Sequence, residues 1–183
     1  MRRSLLCLFC AVVVHATTSL AQPSTVILVR HAEKASQTEA DPILSDAGTQ
    51  RAKDLAAVLA DARVSSVITT QFQRTRLTAA PLMDAARPTS IVVANSGNTT
   101  AHVAEVAAAV KARPAGEVVV VVGHSNTIPA IIGALGGPKM PNLCDSQYSM
   151  LFVLEMHGAD PPRLIRANYG TPDPADPACA KMK

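Results

Sequence analysis

Two uninterrupted hydrophobic runs in the chain each lead into a histidine. Residues 26–29 are followed by Arg30 and His31, and residues 118–122 are followed, after one glycine, by His124. Aliphatic runs without polar alternation are typical of strands that are buried on both faces of a sheet. Because open α/β sheets bind ligands beyond the carboxyl ends of their strands, we predict that both histidines lie at a binding site.

The remaining hydrophobic positions switch between helical and strand spacing. Strands are predicted over residues 64–69, 89–94, 148–155 and 163–167, and helices around residues 45–59, 74–82, 103–110 and 127–135. The order β-α-β-α-β-α-β-α-β-β predicts an α/β fold, a three-layer sandwich in which a largely parallel sheet lies between two layers of helices. No repeat or linker divides the chain, so one folded domain is predicted.

Four residues carry local expectations. Ser45 precedes the first helix and is a natural N-cap. Pro81 lies within the second helical pattern and is expected to bend or end that helix. His102 and His157 have polar neighbours in the sequence, and we predict that both are exposed.

The first 21 residues have the pattern of a secretion signal. Arg2 and Arg3 precede an apolar segment, residues 5–14, and Ser19-Leu-Ala21 fits a small-x-small cleavage site. The apolar segment is short for a membrane span. We predict a cleaved signal peptide over residues 1–21 and a mature domain over residues 22–183, exported to the periplasm or secreted, with no stable membrane insertion. An uncleaved anchor is the alternative.

Charge and aromatic content bear on the kind of partner. Removal of the signal takes away Arg2 and Arg3 and no acidic residue, so the formal net charge falls from +3 to +1. Nucleic-acid-binding surfaces need a concentrated basic face. The chain also has no tryptophan and only 3% aromatic residues, too few for a base-stacking platform. Nucleic acid is therefore not predicted as a partner.

Two cysteines, Cys144 and Cys179, remain after signal removal. In an exported protein they favour a disulfide that holds the proline-rich C-terminal tail, and two free thiols are the alternative. Neither cysteine has histidines at metal-ligand spacing, so no zinc site is predicted.

Arg30, His31, Arg74 and His124 are predicted to meet at one edge of the sheet, since each follows a predicted strand. Two arginines beside two histidines suit a phosphate group, which arginine binds in bidentate fashion. The start of the helix after Asn126 adds backbone donors. A neutral histidine acts as a nucleophile toward phosphorus while arginines neutralise the transferring group. The chain lacks a carboxylate cluster for a cation, so no metal and no cofactor are predicted.

Four segments resemble motifs of the histidine phosphatase superfamily, also called the phosphoglycerate mutase-like family. Residues 29–33, Val-Arg-His-Ala-Glu, resemble its Arg-His-Gly motif with alanine in place of glycine. Residues 70–79 resemble Ser-Pro-x-x-Arg-x-x-x-Thr-Ala, and residues 122–126, Val-Gly-His-Ser-Asn, resemble the segment with the second histidine. Residues 44–48 resemble Leu-Thr-x-x-Gly. The resemblance runs in the right order over about residues 25–170.

The resemblance implies a role for each matched residue. His31 would be the nucleophile that becomes phosphohistidine, Arg30 and Arg74 would grip the phosphate, and His124 would bind it and stabilise the transition state. The function expected is metal-independent hydrolysis of a small-molecule or glycan phosphate ester. Asn126 either contacts the substrate or only caps its helix.

The departures from the family pattern concern the proton donor. Larger mutases carry a glutamate segment that this chain lacks between Arg74 and His124, and related acid phosphatases have an aspartate where Ser125 stands. Glu33 is the nearest carboxylate in sequence and is a candidate donor. The missing mutase segment favours a phosphatase. The alternatives are a phosphotransferase or mutase of the same family and a non-catalytic phosphate-ligand-binding protein.

Overall fold

The computed structural model describes residues 23–176 and Cys179, and the predicted signal peptide lies outside the described residues. Strands and helices alternate here as the hydrophobic pattern predicts. The elements are β1 (Thr25–Arg30), α1 (Asp46–Val58), β2 (Ser66–Thr69), α2 (Gln73–Ala86), β3 (Thr89–Val92), α3 (Thr99–Lys111), β4 (Val118–Gly123), α4 (Thr127–Ala134), β5 (Met150–His157) and β6 (Asp160–Asn168). Within these described ranges, no helix has the length and hydropathy needed to cross a membrane.

The strands form one mixed sheet in the order β3-β2-β4-β1-β5-β6. The first four strands of this order are mutually parallel, whereas β5 and β6 are antiparallel to their neighbours. The predicted three-layer α/β fold is confirmed. β6 is antiparallel to β5 because a short connection without a helix joins strands only as a hairpin. β5 follows α4 and nevertheless runs antiparallel to β1.

Different helix pairs cover the two faces of the sheet. In β1, Val26 and Leu28 pack in the cluster that contains residues of α3 and α4. Ile27 and Val29 point the other way and pack in the cluster that contains residues of α1 and α2. Full burial of one aliphatic side chain contributes about 1.5–3 kcal/mol. Four such residues in succession fix the position of β1, and with it the position of the residues that follow.

The start of α1 is tied to the segment after His31. The Ser45 hydroxyl accepts a hydrogen bond from the Gly48 N–H over 3.1 Å, so the predicted N-cap is confirmed. The Ser45 N–H donates to the Glu33 carbonyl over 3.0 Å. A Cβ at Gly48 would overlap that same carbonyl oxygen, which explains why a glycine stands there. The helix thus packs directly against the backbone that leaves β1.

The second helix does not end at Pro81, contrary to one of the two expectations for this residue, but continues to Ala86. Ala79 and Leu82 lie on either side of the proline, and only 2% and 1% of their surfaces are exposed. Their burial in the core keeps the helix in register although the proline contributes no N–H. The helix ends at Arg87, which has a positive φ of 48°.

His102 is buried, so the prediction that it is exposed was wrong. Only 2% of its surface is exposed, and its Nδ1 lies 3.2 Å from the Ala94 carbonyl oxygen. His102 precedes the buried Val106 by four residues on α3 and therefore lies on the same face of that helix. His157, at the end of β5, is exposed as predicted.

The C-terminal segment returns to the loop before β5. Cys144 and Cys179 form a disulfide with their Cα atoms 5.9 Å apart, so the favoured of the two alternatives for these residues is confirmed. Pro161 and Pro162 were expected in the connection between the last two strands but lie within β6. β6 is an edge strand, and both prolines fall at the irregularity between the Arg163 and Asp160 pairings, where the ladder with β5 is interrupted.

Candidate functional site

The pairing of β1 with β4 brings the two histidines together. Arg30 lies opposite Gly123 in the parallel register, and the His31 N–H donates to the Gly123 carbonyl over 2.9 Å. His31 and His124 therefore leave the sheet side by side, with ring centroids 5.4 Å apart. Both are buried, with 4% and 8% of their surfaces exposed.

Gly123 allows the tight turn from β4 into α4. A Cβ on this residue would lie 2.8 Å from Ile128 Cδ1 and 2.9 Å from Thr127 Oγ1. The Thr127 hydroxyl in turn accepts a hydrogen bond from the His124 N–H over 2.9 Å. A side chain at position 123 would therefore disturb the group that fixes the backbone of His124.

The His31 ring is held in one tautomer. Its Nδ1 lies 2.8 Å from the Ala32 carbonyl oxygen, which only accepts hydrogen bonds, so Nδ1 carries the hydrogen and Nε2 presents a lone pair. The pKa of His31 is lowered to about 3, mainly by burial and also by the nearby positive charges of Arg30 and Arg74, while the bond to Ala32 acts in the opposite direction. The imidazole is therefore neutral at pH 7.

His124 faces the same space from the neighbouring strand. Its Nε2 lies 3.3 Å from Thr70 Oγ1, and the Phe72 ring stands edge-on to it with centroids 5.7 Å apart. Burial, followed by the charge of Arg74, lowers the pKa of His124 to about 3. An anion beside the ring would oppose this effect, because a negative charge favours the protonated imidazole.

Arg30 is anchored by the loop before β5. Its Nη1 donates to the carbonyl oxygens of Cys144, Asp145 and Gln147 at 2.8, 3.1 and 3.1 Å. Its Nη2 donates to the Tyr148 hydroxyl at 3.3 Å, and the guanidinium carbon lies 4.0 Å from the centroid of the Tyr148 ring. Its Nε is buried and has no hydrogen-bond partner among the described residues.

Arg74 enters the site from the first turn of α2. Its guanidinium carbon lies 4.3 Å from the Phe72 ring centroid, and its Nη1 lies 3.6 Å from Asp41 Oδ1. The same Asp41 oxygen accepts from the Gln73 N–H over 2.9 Å. Phe72 makes no side-chain capping bond, so Asp41 supplies the cap for α2 from a distant loop.

An open cavity of about 620 Å³ joins these groups. Arg30, His31, Arg74 and His124 all line it, so the four residues predicted from strand ends do come together. Asn126 lines the cavity as well and makes no side-chain capping bond to α4, which favours the first of its two expected roles. The remaining lining residues are Lys34, Glu39, Ala40, Pro42, Phe72, Asn95, Ser96, Gly97, Ser125 and Asp145.

The cavity is chemically suited to an anion. Its floor carries two guanidinium groups and two histidine rings, whose hydrogen-bond donors and charge match an oxyanion. In the part of the chain that the structure describes, no group of three or more histidine, cysteine or acidic side chains is arranged to hold a metal ion.

The sequence model of branch 1 of the histidine phosphatase superfamily matches residues 26–95. This segment of the chain is therefore similar to the superfamily. The matched segment includes Arg30, His31 and Arg74, three of the four residues that meet on the cavity floor. No curated protein matches the chain at the sequence level.

Solved structures with the same fold include known and candidate histidine phosphatases. A candidate phosphohistidine phosphatase SixA from Agrobacterium tumefaciens is 22% identical, with a TM-score of 0.55 over 83% of this chain and 99% of its own. The mycobacterial glucosyl-3-phosphoglycerate phosphatase is 18% identical, with a TM-score of 0.58 over 80% and 98%. The protein histidine phosphatase SixA bound to tungstate is 15% identical, with a TM-score of 0.62 over 79% and 96%. At these identities the likeness establishes the fold.

Glu33, the candidate proton donor, does not line this cavity. Its carboxylate accepts from Arg51 Nε at 2.9 Å and from Arg51 Nη2 at 2.7 Å, in an ion pair with α1. Arg51 Nη1 also donates to the Tyr169 carbonyl over 3.0 Å. A carboxylate held in this way fixes α1 and the C-terminal segment and is poorly placed to protonate a leaving group. Glu33 is near His31 in sequence, but its ion-pair partner Arg51 lies 18 residues further along the chain, so the sequence did not indicate this contact.

Two carboxylates that the sequence did not single out lie on the cavity rim. Glu39 and Asp145 line the cavity, and both are exposed or nearly so, with Asp145 Oδ1 at 3.9 Å from Arg30 Nη2. A second missed contact joins two rim loops: Gln71 donates through Nε2 to the Asn95 carbonyl at 3.0 Å and accepts from the Asn95 N–H at 2.8 Å. Gln71 stands where the superfamily pattern has proline, and this departure was the one available signal.

Proposed function

We propose that the protein is a phosphomonoesterase that hydrolyses a phosphate ester through a phosphohistidine on His31, without a metal ion. The observation that carries this proposal is the state of His31. Its ring is neutral, its Nδ1 hydrogen is engaged by Ala32, and its Nε2 faces a cavity that also contains two arginines and a second histidine. A neutral, oriented imidazole beside fixed positive charge is what nucleophilic attack on a phosphate requires.

The proposed reaction has two displacements. In the first, the Nε2 lone pair of His31 attacks phosphorus, a P–N bond forms, and the P–O bond to the leaving group breaks. The leaving oxygen takes a proton from solvent or from an acid on the rim, where Glu39 and Asp145 lie. In the second, water attacks the same phosphorus, the P–N bond breaks, and inorganic phosphate leaves. His31 is then restored as the neutral imidazole.

The arginines would bind the oxygens of the transferring group. Arg30 has most of its donors engaged by the loop before β5, but its buried Nε–H has no partner among the described residues. An unpaired buried donor is costly, and a phosphate oxygen would satisfy it. Arg74, from the first turn of α2, and His124, after β4, would share the remaining charge. Positioning and charge neutralisation are the main contributions of protein groups to phosphoryl transfer.

The open cavity supports a small-molecule or glycan phosphoester as the substrate. Its rim offers the side chains of Asn95, Ser96 and Asn126 as neutral hydrogen-bonding groups. The similar solved structures include a protein histidine phosphatase and a glucosyl-3-phosphoglycerate phosphatase. We further propose that the enzyme acts outside the cytoplasm, a location supported by the signal pattern of residues 1–21 and by a disulfide.

The test is hydrolysis of an aryl phosphate by the mature protein, with and without a chelator. The expected result is chelator-resistant turnover that is lost in His31→Ala, together with acid-labile ³²P-labelling of His31 after a rapid quench. His157→Ala is the matched control, because His157 is exposed and does not line the cavity. Label on another residue, or turnover that needs added metal, would contradict the proposed mechanism. Phosphate binding without any turnover would instead support the non-catalytic alternative.

A further inference from the structure

The guanidinium group of Arg30 is oriented by a short loop before β5. The four polar contacts that the Nη atoms make to carbonyl and hydroxyl oxygens all go to residues 144–148. The same loop supplies the Tyr148 ring against which the guanidinium packs. A guanidinium fork binds an oxyanion well only when its orientation is fixed in advance. Whatever holds residues 144–148 therefore also sets the orientation of Arg30.

The C-terminal segment holds that loop at both ends. At one end, Cys144 is bonded to Cys179, and the Ser146 hydroxyl donates to Asp176 Oδ2 over 2.8 Å. At the other end, Asp173 Oδ1 accepts from the N–H groups of Tyr148 and Ser149 at 2.8 and 2.9 Å. Residues 171–176 and Cys179 lie outside the helices and strands, so contacts of this kind hold them against the loop.

We infer that residues 171–176 and Cys179 form a strap that positions Arg30 for phosphate binding, and that the Cys144–Cys179 disulfide is needed for this positioning. Cys144, Tyr148 and Asp173 are thus positioning residues that act through Arg30. Reduction of the disulfide would weaken the binding of phosphate and of phosphate esters. The enzyme would then be most effective in an oxidising environment. This inference rests on the proposed role of Arg30 in the phosphatase reaction.

Positioning of Arg30 by the disulfide and stabilisation of the fold by the disulfide have different consequences for substrate affinity. A disulfide that only stabilised the fold would change the fraction of folded protein and leave the KM of the folded molecules unchanged. A disulfide that positions Arg30 changes the affinity of each folded molecule for an oxyanion. Hydrogen bonds to charged groups contribute about 1.5–3 kcal/mol, so loss of one well-oriented phosphate contact corresponds to a change in affinity of about tenfold or more.

The experiment compares oxidised and reduced mature protein with inorganic phosphate as the probe. Dithiothreitol converts the disulfide to two thiols and is itself oxidised to its cyclic disulfide, and it is then removed by anaerobic desalting. Phosphate affinity is measured by calorimetry, and KM and kcat with an aryl phosphate, on samples shown to be folded by circular dichroism. The expected result is a phosphate Kd and a KM raised about tenfold on reduction, with recovery after reoxidation.

The decisive control is the same comparison in Arg30→Lys. Lysine keeps the charge but lacks the fork that the loop orients. If the strap acts through Arg30, reduction will cause little further loss of phosphate affinity in this variant, and the two changes will be non-additive. Cys144→Ser/Cys179→Ser should match the reduced wild type and should not respond to dithiothreitol. An equal loss on reduction in wild type and Arg30→Lys would overturn the inference.

Each remaining outcome also decides the question. Folded, reduced wild type with unchanged phosphate affinity would overturn the strap. If the reduced protein does not fold, Tyr148→Leu with the disulfide intact tests the link between the loop and Arg30. Tyr148→Phe is its control, because it keeps the ring beneath Arg30. If the strap acts through the loop, Tyr148→Leu will bind phosphate more weakly than Tyr148→Phe. Unchanged binding in Tyr148→Leu would reject it. Absence of turnover in oxidised wild type would count against the phosphatase proposal alone, since phosphate affinity still reports on the strap.

Discussion

His31 donates its Nδ1 hydrogen to the carbonyl oxygen of Ala32, the next residue in the chain, over 2.8 Å. The Ala32 peptide is itself fixed, because its N–H donates to the Thr78 hydroxyl over 2.9 Å. Thr78 in turn donates to the Arg74 carbonyl over 2.7 Å. The orientation of the His31 ring, the proposed nucleophile, is therefore linked through three hydrogen bonds to the helix that carries Arg74.

The two buried histidines make the stability of the protein depend on pH. Burial lowers the pKa of both His31 and His124 to about 3, whereas an unfolded histidine has a pKa of about 6.5. Between these values the unfolded chain binds more protons than the folded one, so the free energy of unfolding falls as the pH falls. Each histidine contributes a slope of at most about 1.4 kcal/mol per pH unit.

We expect His31→Gln to make this pH dependence shallower, because glutamine does not titrate. Urea unfolding at pH 4, 5, 6 and 7 measures the slope, with His157→Gln as the control for an exposed histidine. A variant with the same slope as the wild type would show that His31 is not the group responsible.

Asp41 reduces the positive charge of the cavity. Its Oδ1 lies 3.6 Å from Arg74 Nη1 and also caps α2 through the Gln73 N–H. Asp41→Asn keeps an acceptor for the cap but removes the negative charge, which interacts with Arg74 by about 1 kcal/mol or more at such a distance. We expect the KM for a phosphate ester to fall about threefold in Asp41→Asn.

Asp41→Ala separates the two roles of this residue. It removes the cap as well as the charge, so we expect the free energy of unfolding to fall by about 1 kcal/mol, whereas Asp41→Asn should be close to wild type. Steady-state kinetics and thermal unfolding of the two variants measure both effects. A higher KM in Asp41→Asn would mean that the carboxylate helps to bind the substrate.

The sequence predicted the floor of the cavity and not its surroundings. Arg30, His31 and His124 follow hydrophobic strands, and strand ends converge whatever the details of the fold, so their meeting followed from the hydrophobic pattern. The partners of Arg30 could not be foreseen, because residues 144–148 lie in a loop without periodicity. The ion pair between Glu33 and Arg51 could not be foreseen either, because it depends on the exact packing of α1.

Gln71 links two loops of the cavity rim through its reciprocal hydrogen bonds with the Asn95 backbone. Gln71→Ala removes both bonds, so the loop that presents Asn95, Ser96 and Gly97 loses its tie to the residues before α2. The residue is exposed, so we expect a change of less than about 1 kcal/mol in the free energy of unfolding. Because the loop lines the cavity, we expect a KM raised about threefold to tenfold, a loss of about one hydrogen bond's net contribution.

Gln50→Ala is the matched control for this substitution. Gln50 is an exposed glutamine with a side-chain hydrogen bond of 2.9 Å, to Asp54 on α1, and it does not line the cavity. The KM of Gln50→Ala should equal that of the wild type. Equal KM values for Gln71→Ala and the wild type would show that the tie between the two loops does not influence substrate binding.

The exposure of the acidic residues on the cavity rim leads us to expect that the rate of the proposed hydrolysis depends on the leaving group. Glu39 and Asp145 are the acidic residues that line the cavity, and both side chains are exposed to solvent. General acid catalysis contributes about 10²–10⁴-fold when a well-placed acid with a matched pKa is present. Without one, P–O cleavage depends on the stability of the departing oxyanion.

We therefore expect kcat/KM to fall steeply across a series of aryl phosphates as the pKa of the leaving phenol rises, and to be lowest for alkyl phosphates. Glu39→Gln and Asp145→Asn should each change the rate with the best aryl leaving group by less than about twofold, since that substrate needs no proton donor. If one of them slows alkyl ester hydrolysis by tenfold or more while sparing the aryl substrate, that carboxylate is the proton donor. A flat dependence of kcat/KM on leaving-group pKa would mean that a step before P–O cleavage limits kcat/KM, whereas a flat dependence of kcat alone would mean that dephosphorylation of His31 limits turnover.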